Sequence, residues 1–317
     1  MNCRKELFSM LSAFWVAQRQ YIDNSERKRN VGEGRLIKSL YVGLKRRWRR
    51  GVTAGFSAIG IIWLLTEIGL ATSAIFKTTF DAHREEYLLF TVLAAVLTFL
   101  WYIYEPRDVE FKIPTTSTKV LIKFGDIFDE PADWIIAVNE FFDHQLGQVI
   151  APNSVHGQLI QKAFSSDADS FRLAVDQALA RTSGTQTARA IAPTTKYETG
   201  TTAVLALGSR RAYLVALTQT DLHTSKASTS VPLLWTALTA AWRKVHDVGN
   251  GQPIALPLIG NGRSSLNLEP QHLLRLLVLS LVDFARRTGL PEQVTIVVPD
   301  ACFEALDIRE IARDWRR

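Results

Sequence analysis

Hydrophobic positions fall along this chain in three rhythms, and each predicts a different kind of element. Leu7, Phe8, Leu11, Phe14, Trp15, Tyr21 and Ile22 recur at near-helical spacing, with Arg4, Lys5, Gln18, Arg19 and Gln20 around them. That pattern predicts an amphipathic helix over residues 3–25, resting on a bilayer or on a neighbouring copy. The glycine-bearing segment 30–34 is expected to break it, and residues 36–50 to form a second, basic helix. Two nearly uncharged apolar runs follow, 52–76 and 88–104. A helix needs about 20 apolar residues to cross a hydrocarbon core of about 30 Å. The first run is long enough and the second is near the lower limit. Tyr87, Trp101, Tyr102 and Tyr104 bound the second run with rings that settle at a lipid–water boundary. The prediction is a two-helix transmembrane hairpin over 51–105, behind a basic N-terminal helical segment over 1–50. A pair of helices in a soluble core is the alternative, but two such runs in close succession are uncommon there. A cleavable signal peptide is not expected, because the first apolar run begins about fifty residues into the chain.

Beyond a polar stretch at 114–118 the rhythm changes again. Strand-like runs at 119–124, 134–138, 201–207, 212–217, 253–259 and 293–299 alternate with helical patterns near 155–165, 168–181, 231–247, 269–288 and 301–315. Strands separated by amphipathic helices predict an α/β layered fold with a mostly buried sheet. It is read as one domain over 112–317.

Charge orients the hairpin. Residues 1–50 hold thirteen Lys and Arg against four acids, and removing them leaves 24 basic and 27 acidic residues. The loop between the apolar runs has only Lys77 and Arg84 as Lys or Arg, so the N-terminus and the C-terminal domain are expected in the cytoplasm. A basic cluster next to a membrane is most simply explained by anionic lipid headgroups, so no nucleic-acid partner is inferred. The two cysteines, Cys3 and Cys302, give neither a disulfide framework nor a zinc site, and no metal is implied. The histidines lack metal-ligand spacing, and no nucleophile-elbow, Walker or three-glycine dinucleotide sequence occurs. One charge interrupts the first apolar run. Glu67 either lines a contact between helices of several copies or hydrogen-bonds the second span through Thr91 or Thr98.

The candidate chemistry lies where strands end. Gly125 and Asp126 follow the first strand, Asn139 ends the second, Gly147 sits in the next loop, and Gly260 and Gly262 follow a later strand. Ligands of open α/β sheets bind at the carboxyl ends of strands. Glycines there let backbone N–H groups approach phosphate oxygens, and a following helix N-terminus adds a favourable field.

Gly125, Asp126 and Ile127, then Val138 and Asn139, then the run from Pro257 to Gly262, stand in an order that resembles the macro domain, an ADP-ribose-binding α/β/α module with a mixed central sheet. The similarity covers roughly 119–310. With the hairpin in front, the chain resembles the membrane-bound macro-domain effectors of type II Thoeris anti-phage defence systems. The resemblance implies a bacterial inner-membrane protein that binds a histidine–ADP-ribose signal made from NAD by a TIR-domain partner. It also implies that the protein then assembles with its own copies and disrupts the membrane in abortive infection. Carried over by motif position, Asp126 accepts from the adenine amino group beside the Ile127 backbone, and Asn139, Gly147 and Gln148 line the distal ribose. Gly260, Asn261, Gly262 and Arg263 cradle the diphosphate. Each has a plainer alternative: Asp126 as a turn cap, Asn139 as a strand-end partner, Arg263 as a solvated loop charge. Hydrolytic macro domains usually carry Val-Asn-Ala-Ala-Asn and a triple-glycine loop. Here Glu140, Phe141 and Phe142 follow Asn139 and the loop keeps one glycine, which favours binding without turnover and no catalytic residues. The altered loop would make room for a histidyl group near His144, Gln148, Asn153 or His156. The alternatives are a membrane-tethered ADP-ribosyl hydrolase and an ADP-ribose-binding scaffold.

Overall fold

The computed structural model describes residues 3–190, 193–221, 227–260 and 266–315, with side chains from residue 34 onward. Its contacts divide into a helical unit, Met1–Pro106, and an α/β unit, Arg107–Arg317.

In the helical unit, α1 runs unbroken over Cys3–Thr72. The expected break at 30–34 does not occur. An interior glycine costs only about 1 kcal/mol, whereas each propagated residue adds a hydrogen bond, and no proline interrupts the segment. The first apolar run also ends earlier than its composition implies. Ser73 leaves the helix with φ −138°, its hydroxyl accepts from the Phe76 N–H, and the chain restarts as the short α2, Ala74–Ala82. Phe76 therefore belongs to α2. Helix α3, Arg84–Ile103, returns along α1.

Close approach is what permits that pairing. A Cβ on Gly43 would lie 1.4 Å from the Ile103 carbonyl oxygen, so only glycine fits there. At one end Ser39 bonds both backbone groups of Glu105, donating to its carbonyl and accepting from its N–H at 3.1 Å. The Glu105 carboxylate meets Arg47 Nε at 3.1 Å. At the other end the Thr66 and Tyr87 hydroxyls share a 2.8 Å hydrogen bond. The stretch Gly34–Thr72 and α3 are both long and apolar enough to cross a membrane, and only 11% and 6% of their most apolar windows is buried. Helices of a soluble core would be buried; these leave Phe56, Trp63, Leu64, Leu89 and Phe90 at least 60% exposed.

The α/β unit has the predicted layered fold. Its strands are β1 (Asp108–Lys112), β2 (Lys119–Phe124), β3 (Asp133–Asn139), β4 (Thr185–Gln186), β5 (Thr195–Lys196), β6 (Thr202–Leu207), β7 (Arg210–Thr220), β8 (Ala227–Ser228), β9 (Ile254–Pro257) and β10 (Gln293–Val298). The main sheet runs β1-β2-β10-β9-β3-β7-β6, with β8 on β7 and β4 paired only with β5. From β2 to β7 neighbours are parallel, and β1 and β6 close the edges antiparallel, so the sheet is mixed.

Helices α4 (Val155–Ala163), α5 (Ala168–Leu179), α6 (Val231–Val248), α7 (Pro270–Arg287) and α8 (Ile308–Trp315) complete the unit. Trp134, Ile136 and Val138 pack with Leu159, Ile160, Phe171 and Val175 of α4 and α5. Ile135 between them is fully buried, as are Tyr213 of β7 and Trp242 of α6. Helix α6 packs on β7 and on α7. A parallel strand buried on both faces needs this double cover.

Replacing Gly43 with Val should splay the hairpin. Disulfide crosslinking between cysteines placed at Gly55 and Phe99, whose Cβ positions would lie 3.9 Å apart, in full-length protein with Cys3 and Cys302 removed, is expected to fall sharply in Gly43→Val. Unchanged yield would mean that the close approach is not required.

Candidate ligand-binding site

The parallel strands end together, and the chain there leaves the ladder in a defined way. Between Val138 and Asn139 the β3–β7 register slips by one residue, so Asn139 lies opposite Thr218. Such irregularities end pairing and re-aim side chains. The gap beyond is a cavity of about 570 Å³, of a size that suits small-molecule ligands. Its walls come from Ala137, Val138 and Asn139 of β3, Leu217, Thr218 and Thr220 of β7, Pro257 at the end of β9 and Leu258 to Gly260 after it. Val149, Ile150 and Ala151 and the start of α4 at Ser154, Val155 and His156 close it.

The start of α4 brings backbone dipoles to the cavity. Ser154 caps the helix by accepting from Gly157 N–H at 3.0 Å while donating to Ala151 O at 2.7 Å. A helix N-terminus at a cavity wall favours a negative group inside. At the opposite wall Gly260 has φ +95°, and a Cβ there would crowd Leu266 and Leu273 at 3.1 and 3.2 Å. An L side chain would be strained at that φ, so glycine keeps the turn after β9 tight.

Behind the cavity the post-β3 turn is held by a buried polar network. Asn139 Nδ2 donates to Asp143 Oδ2 at 2.6 Å, and Asn139 Oδ1 accepts from the Asp143 N–H at 3.1 Å. Arg189 forks onto both Asp143 oxygens at 2.9 and 3.1 Å and stacks over Phe141. Glu140 accepts from the Thr220 N–H at 3.1 Å and pairs with Lys196 at 3.2 Å. Phe142 sits in the left-handed region, φ +53°, a conformation that disfavours a side chain with Cβ. Its ring is buried edge-to-face against Tyr197 and packs in the α4–α5 core.

The predicted site residues are thus distributed unevenly. Asn139 and Gly260 meet at the cavity. Asp126 does not line it: one oxygen accepts from the Phe128 N–H at 3.0 Å and the other pairs with Lys162 at 2.6 Å, with Ile127 buried in the core beneath. Gly147 (φ +85°) and the exposed Gln148 belong to the turn leading into the wall at Val149. Asn261, Gly262 and Arg263 lie outside the described residues. Burial singles out His156, already a candidate of the altered loop, and adds Thr220. His156 Nε2 and Thr220 Oγ1 are buried, line the cavity and have no hydrogen-bond partner among the described residues. A buried polar atom without a partner costs about 1–3 kcal/mol, so these two favour a ligand that supplies one. His144 lies close enough to influence His156 electrostatically. Among the described residues no cluster of three metal-ligating groups occurs.

Residues 120–299 match the family described as Thoeris protein ThsA, Macro domain. Among solved structures, the Oceanobacillus iheyensis macrodomain with ADP superposes with a TM-score of 0.44 at 14% identity, covering 66% of this chain and 95% of that one. The Trypanosoma brucei macrodomain in complex with ADP-ribose gives 0.39 at 14% identity, covering 58% of this chain and 66% of that one. A comparison with curated proteins returned no match.

Burial pushes His156 down from the ordinary 6.5 to about 3, reinforced by His144; His144 is lowered too, by burial and by Arg172. Folding therefore favours the neutral rings, and the unfolded chain takes up protons below pH 6.5. The stabilisation is complete above that pH and declines toward pH 3, by about 1.4 kcal/mol per unit for one fully shifted group. Denaturant titrations of the full-length protein in detergent should lose stability between pH 6.5 and 5, and His156→Gln should flatten the slope. An unchanged slope would contradict the assignment.

Proposed function

Because this chain belongs to the Thoeris ThsA macro-domain family, we propose that it is a membrane effector of bacterial anti-phage defence, gated by an ADP-ribose-type signal. The observation that carries the reading is a 570 Å³ cavity at the strand ends of the family-matched domain, in a chain with two helices long and apolar enough to cross a membrane. In this reading the signal is a histidine–ADP-ribose conjugate made from NAD by a TIR-domain partner. Its diphosphate lies at the α4 N-terminus and the Gly260 turn, with Asn261, Gly262 and Arg263 following. Asp126 and Ile127 mark the adenine side, and Asn139, Gly147 and Gln148 the distal ribose side.

Two features favour binding over hydrolysis. Phe142, where hydrolytic relatives carry a polar residue, is an apolar ring turned into the core. Asn139 is already engaged with Asp143. The domain is read as a sensor without catalytic residues.

The hairpins lie in the inner membrane with both the N-terminus and the macro domain in the cytoplasm, as the basic head favours. Ligand binding promotes assembly of copies, and the assembled hairpins disrupt the bilayer and end the infection. Moving such an equilibrium from 1:99 to 99:1 takes about 5.5 kcal/mol of differential affinity. A ligand contacting several loops is of the right class to supply it. Glu67 supports the assembly step. It is exposed on the helix surface, while the Thr91 and Thr98 hydroxyls donate to carbonyls of their own helix. A carboxylate on a lipid-facing surface is costly, on the order of 2.5–3.5 kcal/mol, and contact with a second copy relieves it.

Calorimetric titration of the full-length protein in detergent with ADP-ribose and with histidine–ADP-ribose tests the sensor. The conjugate is expected to bind more tightly, without release of product, and Ala151→Trp, which fills the cavity, should abolish both isotherms. Absence of heat with either compound would refute the reading.

A further inference from the structure

The helical unit carries a second hollow, of about 530 Å³, between α1 and α3. Its wall changes character along its length. At one end stand Arg49 and Arg50, beside Tyr102; further along α1 come Ala54, Ala58 and Ile61, faced by Thr98. The twelve helical rises from Arg49 to Ile61 span about 18 Å.

The polar end lies at the level of an aromatic belt. Trp48, Trp101 and Tyr102 are 50%, 80% and 48% exposed, and rings of this kind settle at headgroup depth. Arg49 rests over Trp48, and Arg50 has no ion-pair or hydrogen-bond partner among the described residues. The hydroxyls further along do not offer their protons to the groove. Thr53 donates to Arg49 O at 2.9 Å, Ser57 to Thr53 O at 2.9 Å and Thr98 to Ala94 O at 2.7 Å. The wall beyond the arginines is therefore effectively apolar.

We propose that this groove binds one anionic glycerophospholipid, its phosphate at Arg49 and Arg50 and an acyl chain along Ala54, Ala58 and Thr98. The proposal rests on the reading that the helical unit lies in a bilayer. A small inorganic anion would use the arginines and leave the apolar wall uncovered. A second copy in parallel would bring its own two guanidinium groups to the same depth, where like charges repel. A lipid satisfies both ends at once, and basic pockets between membrane helices on the cytoplasmic side are sites of this type.

The test uses the full chain in phosphatidylcholine vesicles doped with spin-labelled phosphatidylglycerol or phosphatidylcholine, read as relative association by electron spin resonance. The wild-type protein is expected to float with the vesicles and to prefer phosphatidylglycerol. One arginine near an anionic headgroup contributes on the order of fivefold, so Arg49→Gln/Arg50→Gln should lower the preference by roughly fivefold or more. The equally charged control Arg35→Gln/Lys45→Gln should keep it. Ala58→Leu, with both arginines intact, should reduce the immobilised lipid fraction. Equal losses in the two double variants would assign the preference to diffuse surface charge and overturn the site, as would Ala58→Leu without effect. Efficient disulfide crosslinking of Ser57→Cys copies in the absence of nucleotide would give the groove to a second copy instead. Wild-type protein that fails to float would refute the membrane reading and the lipid site together. Protein that floats without any phosphatidylglycerol preference would overturn the lipid site alone.

Discussion

The strand β3 leaves no choice about what surrounds it. Its seven residues, Asp133–Asn139, pair with β7 on one side and β9 on the other, and all but Ala137 are buried. A parallel strand buried on both faces must be covered by helices on both faces and joined by crossovers, which gathers the carboxyl ends of neighbouring strands at one edge of the sheet. At that edge backbone groups lose their ladder partners and the helices no longer cover the gap. The cavity is therefore a consequence of the sheet. What the sequence adds is its furnishing: the α4 N-terminus, the Gly260 turn, and two buried polar atoms, on His156 and Thr220, that lack partners among the described residues.

The same edge explains the charged residues after β3. Chain leaving a buried strand must satisfy its backbone and side-chain polar groups in low dielectric, and a half-satisfied network there would be costly. Asn139, Asp143 and Arg189 close one such network, and Glu140 with Lys196 and the Thr220 N–H closes another. These contacts fix the turn that forms the cavity wall. They also leave Phe142 in a left-handed conformation, held by its packing against Tyr197. The helical unit answers to a different constraint. Along the two apolar spans its outward surface offers little but hydrocarbon, so specificity there lies in the close approach at Gly43 and in polar groups on or beside the spans such as Glu67 and the Arg49–Arg50 pair.

Much of this was legible in residue pattern. The six apolar runs of the C-terminal half all became strands of the mixed sheet, and four helical patterns became α4 to α7, because buried parallel strands and amphipathic helices leave strong periodic signatures; of the fifth, 301–315, only Ile308–Trp315 forms α8, after a 3-10 turn at Asp300–Cys302. Strand β1 was missed because DVEFK has only Val109 and Phe111 to bury and pairs on one side alone. Strands β4, β5 and β8 have two residues each, too few to show a period. The expected break near residue 32 failed because glycine weakens a helix without blocking it, as proline would. At the site, glycine and strand-end motifs located Gly260 and Asn139 at the cavity. They did not reveal that Asn139 spends its polar atoms on Asp143, or that Asp126 caps a turn and pairs with Lys162. Those facts depend on partners 4 and 36 residues away. The orphaned atoms of His156 and Thr220 come from burial, which no local pattern encodes.

In the proposed function, occupancy of the strand-end cavity is coupled to the behaviour of the hairpins. Release of a trapped dye from vesicles carrying the full-length protein measures that coupling directly. Little release is expected from the protein alone, rapid release on adding histidine–ADP-ribose, and none with ligand when Ala151→Trp fills the cavity. Release that is equally fast with and without the nucleotide would contradict it.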